Sequence, residues 1–339
     1  MAKKIIFRGD GNSDTGLGHL FRLFALIEIF KEEYEYVLVT NSSTLLTVIP
    51  EKYNIAIIPE EVCIQDEAYW FSKHYPAIEY VLVLDGYQFN SYYQKKIKNN
   101  GYRLVYIDDL THEHMYADLV INHSPHATIE QYNSENYTKF ALGTNYAILR
   151  PSFLKKPQAK REITIPNIAF VSFGGADKHN FTYKFVLELL NIAQIKRINV
   201  VIGGAYNFSN IFELGNKNDK VKIFKNLDEE SLYTLMNTCN FAIAPTSTIL
   251  FELISVNMYL VSGYYVENQK MGYYELVKRN VFEGIGDINK YKFNFLKNHL
   301  LNVVQTDIST QIKSQQHLID GNQKSRFLKL MKNLSKDGS

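Results

Sequence analysis

Two consecutive doubly wound α/β units are the fold class this sequence predicts, and three observations predict it. Short apolar runs alternate with longer amphipathic segments along most of the chain, the signature of successive βαβ units. Runs such as Tyr-Val-Leu-Val-Leu at 80–84 carry no polar alternation, as expected for strands covered on both faces of a parallel sheet. The alternation breaks once, at the polar Pro- and Lys-containing stretch 151–166, and then restarts. A chain of 339 residues is also long for a single core. The expected organisation is two Rossmann-like domains at 1–150 and 166–308, joined by a linker at 151–165 and followed by a polar helical tail at 309–339.

Element by element, the first half predicts strands over Lys4–Arg8, Tyr36–Thr40, Ile55–Ile58, Tyr80–Leu84, Leu104–Ile107 and Leu119–Asn122. Helical spacing falls between them at His19–Glu33, Ser42–Val48, Gln65–His74 and Ser91–Asn99. After the linker the strands are Ile168–Phe173, Ile198–Ile202, Val221–Phe224, Phe241–Ala244 and Tyr259–Val261. The helices there are Phe181–Ile192, Glu229–Thr238 and Ile249–Val256.

Bulk composition excludes several classes. A net charge of +2 without a basic stripe gives no nucleic-acid footprint. Cys63 and Cys239 are the only cysteines, too few for a disulfide framework or a cysteine zinc site, and in keeping with a reducing compartment. The apolar run at Ile5–Phe7 is too short for a signal peptide, and no segment approaches the ~20 apolar residues of a membrane span. The expectation is a cytoplasmic protein without membrane insertion.

Chemistry concentrates at the strand ends, where open parallel sheets bind ligands. The first strand runs into Arg8–Arg22, RGDGNSDTGLGHLFR, a glycine-rich loop that opens a helix with His19 in its first turn. Backbone N–H groups there favour anions, and the helix dipole biases an imidazole toward its neutral form, as a general base requires. The next strand ends deliver Asp85, Gly86 and Tyr87, then Asp108 and Asp109, a pair that serves either as an acid/base dyad or as a strand-end cap. In the second half, Gly174 and Gly175 let the backbone approach a diphosphate, and Ser247 and Thr248 open a helix whose N–H groups suit phosphate. Glu252 lies on that helix, where a carboxylate could accept from a ribose diol. Asn268 follows the last strand. Position 14 is Asp, so the dinucleotide fingerprint fails, and neither a Walker lysine motif nor GxSxG is present. His112, His114, His123 and His126 lack metal-ligand spacing, so no metal and no cofactor is expected.

Taken in order, these residues resemble the nucleotide-sugar hydrolase family of pseudaminic acid biosynthesis, which removes UDP from UDP-2,4-diacetamido-2,4,6-trideoxy-β-L-altrose. The family's R-x-D and I-G-x-G-H with a following arginine match Arg8, Asp10, Gly16, Gly18, His19 and Arg22, with Thr15 replacing an aliphatic residue. Its D-x-Y matches Asp85 and Tyr87. Its D-D and A-D-L-V-x-N match Asp108, Asp109, Ala117, Asp118 and Asn122. Its G-G-x-D matches Gly174, Gly175 and Asp177, and its hydroxyl-rich loop before a glutamate matches Ser247, Thr248 and Glu252. Its N-Q matches Asn268 and Gln269, and a late D-G and arginine match Asp320, Gly321 and Arg326.

The resemblance implies a glycosyltransferase B-like fold, two Rossmann-like domains facing across a cleft. It further implies metal-independent, inverting attack of water at the anomeric carbon, with His19 as base and Asp10, Tyr87 and Asn268 as further catalytic residues. Arg8, Gly16, Gly18, Arg22, Gly174, Gly175, Ser247, Thr248, Glu252 and Gln269 would then bind the UDP-sugar. Two alternatives stand beside it: a glycosyltransferase of the same fold that uses His19 on an acceptor hydroxyl, and a non-catalytic nucleotide-sugar-binding protein. The sequence carries no signal for an oligomeric state.

Overall fold

The computed structural model describes residues 4–12, 16–154, 161–302 and 305–336. The chain divides into two compact units, Met1–Pro151 with Asn322–Ser339, and Ser152–Gly321.

In the first unit, β1 (Lys4–Gly9) leads into α1 (Gly18–Phe30), followed by β2 (Tyr36–Asn41), β3 (Ile55–Ile58), α2 (Glu67–His74), β4 (Tyr80–Asp85), α3 (Ser91–Asn99) and β5 (Arg103–Ile107). Then come β6 (His114–Met115), β7 (Leu119–Asn122), β8 (Asn133–Ser134) and β9 (Lys139–Leu142). Seven of these strands form one parallel sheet ordered β3-β2-β1-β4-β5-β7-β9, while β6 pairs with β8. The buried Ile5, Ile6, Phe7 and Val81–Leu84 explain the unalternated runs, since both faces of the central strands are covered.

The second unit runs β10 (Ile168–Val171), α4 (Phe181–Leu190), β11 (Arg197–Ile202), α5 (Asn210–Lys217), β12 (Val221–Lys225), α6 (Glu229–Thr238) and β13 (Phe241–Pro245). It continues through α7 (Thr248–Ser255), β14 (Tyr259–Tyr264), α8 (Glu267–Lys278), β15 (Glu283–Asp287), α9 (Phe295–Asn302) and α10 (Gln305–Leu318). Its six parallel strands lie in the order β12-β11-β10-β13-β14-β15. Both sheets therefore reverse direction beside their first strand, between β1 and β4 and between β10 and β13. A crevice opens at such a switch point because neighbouring crossovers leave on opposite faces.

Three expectations are refined. The helical tail is divided between the units: α10 packs on the second unit, and α11 (Gln323–Lys336) belongs to the first. Phe327, Leu330 and Met331 of α11 close over Leu26 and Phe30 of α1, and the near-complete burial of Phe327 contributes about 2–3 kcal/mol. Residues 152–154 of the expected linker are docked rather than extended, because Ser152 donates through its N–H to Glu229 and through its hydroxyl to Glu230. Arg161 likewise donates to the carbonyls of Asn237, Cys239 and Val256, while residues 155–160 of that linker lie outside the described residues. The expected helix Ser42–Val48 shrinks to a 3-10 turn at Leu46–Val48. Asn41 Oδ1 accepts from the Ser43 N–H and hydroxyl there, a local turn that competes with a helix.

Candidate functional site

The β1–β4 switch point brings the chemistry of the first unit together. His19 is the second residue of α1 and Asp85 the last of β4, and the parallel register that sets Gly9 beside Asp85 joins them. His19 Nδ1 lies 2.7 Å from Asp85 Oδ1. Arg22 Nη2 lies 2.9 Å from the same nitrogen; in the tautomer with hydrogen on Nδ1 the ring donates to Asp85 and leaves Nε2 to take a proton, and in the other Nδ1 accepts from Arg22. Arg22, one turn further along α1, grips Asp85 with two N–H groups at 2.8 and 2.6 Å and reaches Asp109 at 3.0 Å. Burial penalises the Asp85 carboxylate, yet Arg22 and the imidazole outweigh it and hold its carboxyl below the usual carboxylate range. Tyr87 closes the ring. Its edge-on aromatic contact sets the two rings 4.7 Å apart, and its hydroxyl donates to Asp109 at 3.3 Å. Half of Tyr87 is exposed whereas His19 is 8% exposed, so the tyrosine lies outermost and the imidazole beneath it.

The other expected residues of this unit take different places. Arg8 is fully buried, its guanidinium spent on Glu67 (3.0 and 2.8 Å) and on Asp10 (2.5 Å). Asp10 in turn accepts from the Thr40 hydroxyl, the Asn41 N–H and the Gln88 amide. These two are therefore braces among strand ends. Gly16 stands at φ +82°, and a side chain at Gly16 or Gly18 would enter open space, so backbone at the start of α1 is approachable. Asp108 is a cap, its carboxylate accepting from the Leu110 and Thr111 N–H groups and the Tyr132 hydroxyl. Burial pushes its carboxyl up. His123 is buried near Arg22, and burial first, then that positive charge, push its imidazole down to about 4. Among the described residues, no group of three or more His, Cys, Asp or Glu side chains is placed to hold a metal. No helix among them is long and apolar enough to cross a membrane.

The second unit gathers its loops at the β10–β13 switch point. Gly174 stands at φ +86° with open space above it. Gly203, at the end of β11, abuts the Gly175 backbone so closely that an added Cβ would sit 2.5 Å from its Cα. Asp177 occupies the N-terminus of α4, accepting from the Phe181 and Thr182 N–H groups at 2.9 and 2.8 Å. At α7 the situation is reversed: Ser247 stands at the N-cap position with extended backbone, and its hydroxyl makes no capping bond. Thr248 begins the helix and Glu252, one turn on, is buried. Asn268 and Gln269 lie in the first turn of α8 rather than in a loop. Asn268 is exposed, and the Gln269 side chain accepts from the Tyr265 N–H at 3.1 Å.

Sequence reasoning singled out Tyr87 of the D-x-Y element but gave Asp85 no role, although the aspartate holds the histidine. It also missed Glu67, Gln88 and Gly203. An isolated glutamate in an ordinary helix carries no signal for a partner 59 residues away, whereas Gly203-Gly204 at a strand end was visible as a second close-approach loop.

No protein-family model matches the chain. It is 26% identical over 321 residues to the uncharacterized protein MJ1062 of Methanocaldococcus jannaschii, a match covering 90% of this chain and 63% of that protein. It is 23% identical over 275 residues to the UDP-2,4-diacetamido-2,4,6-trideoxy-beta-L-altropyranose hydrolase of Campylobacter jejuni, covering 79% of this chain and 93% of that enzyme. Among solved structures, MurG of Acinetobacter baumannii superposes with a TM-score of 0.62 at 12% identity, covering 98% of this chain and 99% of that one. HepE of Anabaena, solved in complex with UDP, gives 0.59 at 16% identity, covering 97% and 100%. The fold is that of the B-type glycosyltransferases, built of two Rossmann-like domains.

Proposed function

We propose that this chain hydrolyses a UDP-sugar, and that the sugar is 2,4-diacetamido-2,4,6-trideoxy-β-L-altrose. The observation that carries the reading is the Asp85–His19 contact at the β1–β4 switch point, because the tautomer that donates to Asp85 has Nε2 ready to accept the proton of a water. That water's oxygen bonds to the anomeric carbon while the bond to the β-phosphate oxygen breaks. The electron pair leaves with UDP, and the anomeric configuration inverts. UDP is a good leaving group, so a base and donors to the departing phosphate matter more than a general acid.

The Ser247–Thr248 start of α7 would supply those donors, since its capping hydroxyl is not engaged by the helix. The α4 terminus is a poorer candidate, its first N–H groups being held by Asp177. In this reading Gly174 and Gly175 let the protein backbone approach the diphosphate and Glu252 meets the ribose, while Tyr87 in the first unit and Asn268 in the second are each assigned to the sugar. Support comes from the Campylobacter relative, named as a hydrolase of this nucleotide sugar, and from the Anabaena structure, which holds UDP in the same fold.

The test is ³¹P and ¹H NMR of the purified protein with the altrose nucleotide alone and with UDP-N-acetylglucosamine. Hydrolysis predicts UDP and free sugar, first in the inverted anomeric form, without any acceptor. If UDP appears only once a sugar or lipid acceptor is added, the protein is a transferase, as the fold of its structural neighbours allows. If His19→Asn leaves turnover unchanged, the base is assigned to the wrong residue.

A further inference from the structure

We propose that Glu67 is a positioning residue: through Arg8 and Asp10 it sets the spacing between the end of β1 and the turn that carries Tyr87, whose ring lies edge-on to His19. The inference rests on the reading of His19 as the base.

Glu67 opens α2 and is 3% exposed. Its two oxygens take Arg8 in a fork, at 3.0 and 2.8 Å, and Oε2 also accepts from the Tyr93 hydroxyl at 2.8 Å. Bidentate pairing of this kind fixes a guanidinium in plane as well as in place. Arg8 is thereby aimed at Asp10, the first residue after β1. It also lies over the ring of Phe89, 5.1 Å from its centroid, in the loop between β4 and α3. Asp10 passes the constraint on in two directions. One oxygen ties the end of β2 through Thr40 and Asn41, and the other accepts from Gln88 at 3.0 Å. Gln88 is the residue after Tyr87. Its amide folds over Gly86, where an added Cβ would meet it at 2.5 Å, so the Asp10–Gln88 bond reaches directly into the turn that presents Tyr87. The network commits one buried and one part-buried carboxylate and a buried arginine to the distance between the end of β1 and that turn. A fold-stabilising pair alone would have no need of the exposed Gln88 link.

Two variants in the full chain separate these roles. Glu67→Gln keeps the shape but removes the charge that aims Arg8, and Gln88→Ala cuts the last link at the surface without disturbing a buried charge. With the altrose nucleotide as substrate, kcat falls by about 10- to 30-fold in E67Q and by about 3- to 10-fold in Q88A. The double variant is no slower than E67Q, because both act on one network. UDP affinity, read by calorimetry, stays at the wild-type value. The His19 and Tyr87 side-chain NMR signals of both variants broaden or shift, and the thermal midpoint of Q88A is unchanged. Wild-type kcat in both variants with unmoved His19 and Tyr87 signals overturns the proposal, as do losses that multiply in the double variant. Wild-type protein that does not turn over the nucleotide sugar overturns the hydrolase reading instead, and the NMR signals then still decide whether Glu67 sets that spacing.

Discussion

Replacing Asp85 by Asn removes one charge and no volume from the centre of the first unit, and its consequences can be worked out in two currencies. The first is stability. Arg22 is buried and holds Asp85 at 2.6 and 2.8 Å, with Asp109 as its other carboxylate. Breaking a buried pair costs about 3–5 kcal/mol, and because Asn retains one acceptor the lower figure applies. Against about 5–15 kcal/mol for a folded protein the variant stays folded. Its urea midpoint drops by about 1–2 M for a slope near 2 kcal/mol/M.

The second is turnover. In D85N, a side-chain amide that donates to His19 Nδ1 forces the ring hydrogen onto Nε2 and removes the proton acceptor. General-base catalysis is worth about 10²–10⁴-fold, so kcat falls by about 10³, or about 4 kcal/mol of barrier. UDP release is followed by ³¹P NMR at a temperature where circular dichroism shows D85N folded. The double variant H19N/D85N is no slower than H19N, since a positioning group has nothing left to position. A folded D85N with near wild-type kcat, or a double variant whose losses multiply, refutes the reasoning.

Four further outcomes follow from the same geometry. His19→Asn lowers kcat by about 10²–10⁴-fold with UDP affinity retained, checked by calorimetry alongside the NMR assay. Ser247→Ala leaves the thermal midpoint unmoved, because the hydroxyl makes no capping bond, yet weakens UDP binding about 5- to 10-fold, the worth of one hydrogen bond. Gly203→Ala drives a methyl into the Gly175 backbone and costs about 1–3 kcal/mol, visible as a lower urea midpoint together with weaker UDP binding. Finally, His123 has a folded pKa of about 4 against an ordinary 6.5. The unfolded chain therefore binds more protons between those values, and stability falls as pH drops from 6.5 to 4, by about 3 kcal/mol in all. Urea titrations across that range should show the loss in the wild type and a flatter curve in His123→Gln, whose side-chain oxygen can still accept from the Ile148 N–H.

The sequence by itself determined the alternation of strands and helices, and with it which residues stand at strand ends. The runs at Ile55–Ile58 and Leu119–Asn122 and the helices Ser91–Asn99 and Glu229–Thr238 occupy the spans that periodicity assigns to them. Those patterns are local, set by burial on one or both faces within a few residues. Weaker patterns carry no such signal. The Lys139–Leu142 strand is short, the α8 segment reads as a loop, and the glycine-containing β15 is only half-buried.

Only the tertiary structure decided partnership. Asp85 reaches His19 across 66 residues because β4 pairs directly with β1 and its register sets Asp85 beside Gly9. Glu67 finds Arg8 because α2 delivers it beneath the same strand end. The last helix leaves its neighbour α10 for the first unit because its apolar face, centred on Phe327, covers α1. A buried charge is stable only beside its counterpart, and which counterpart arrives is fixed by the order of strands in the sheet, a property no window of the sequence contains.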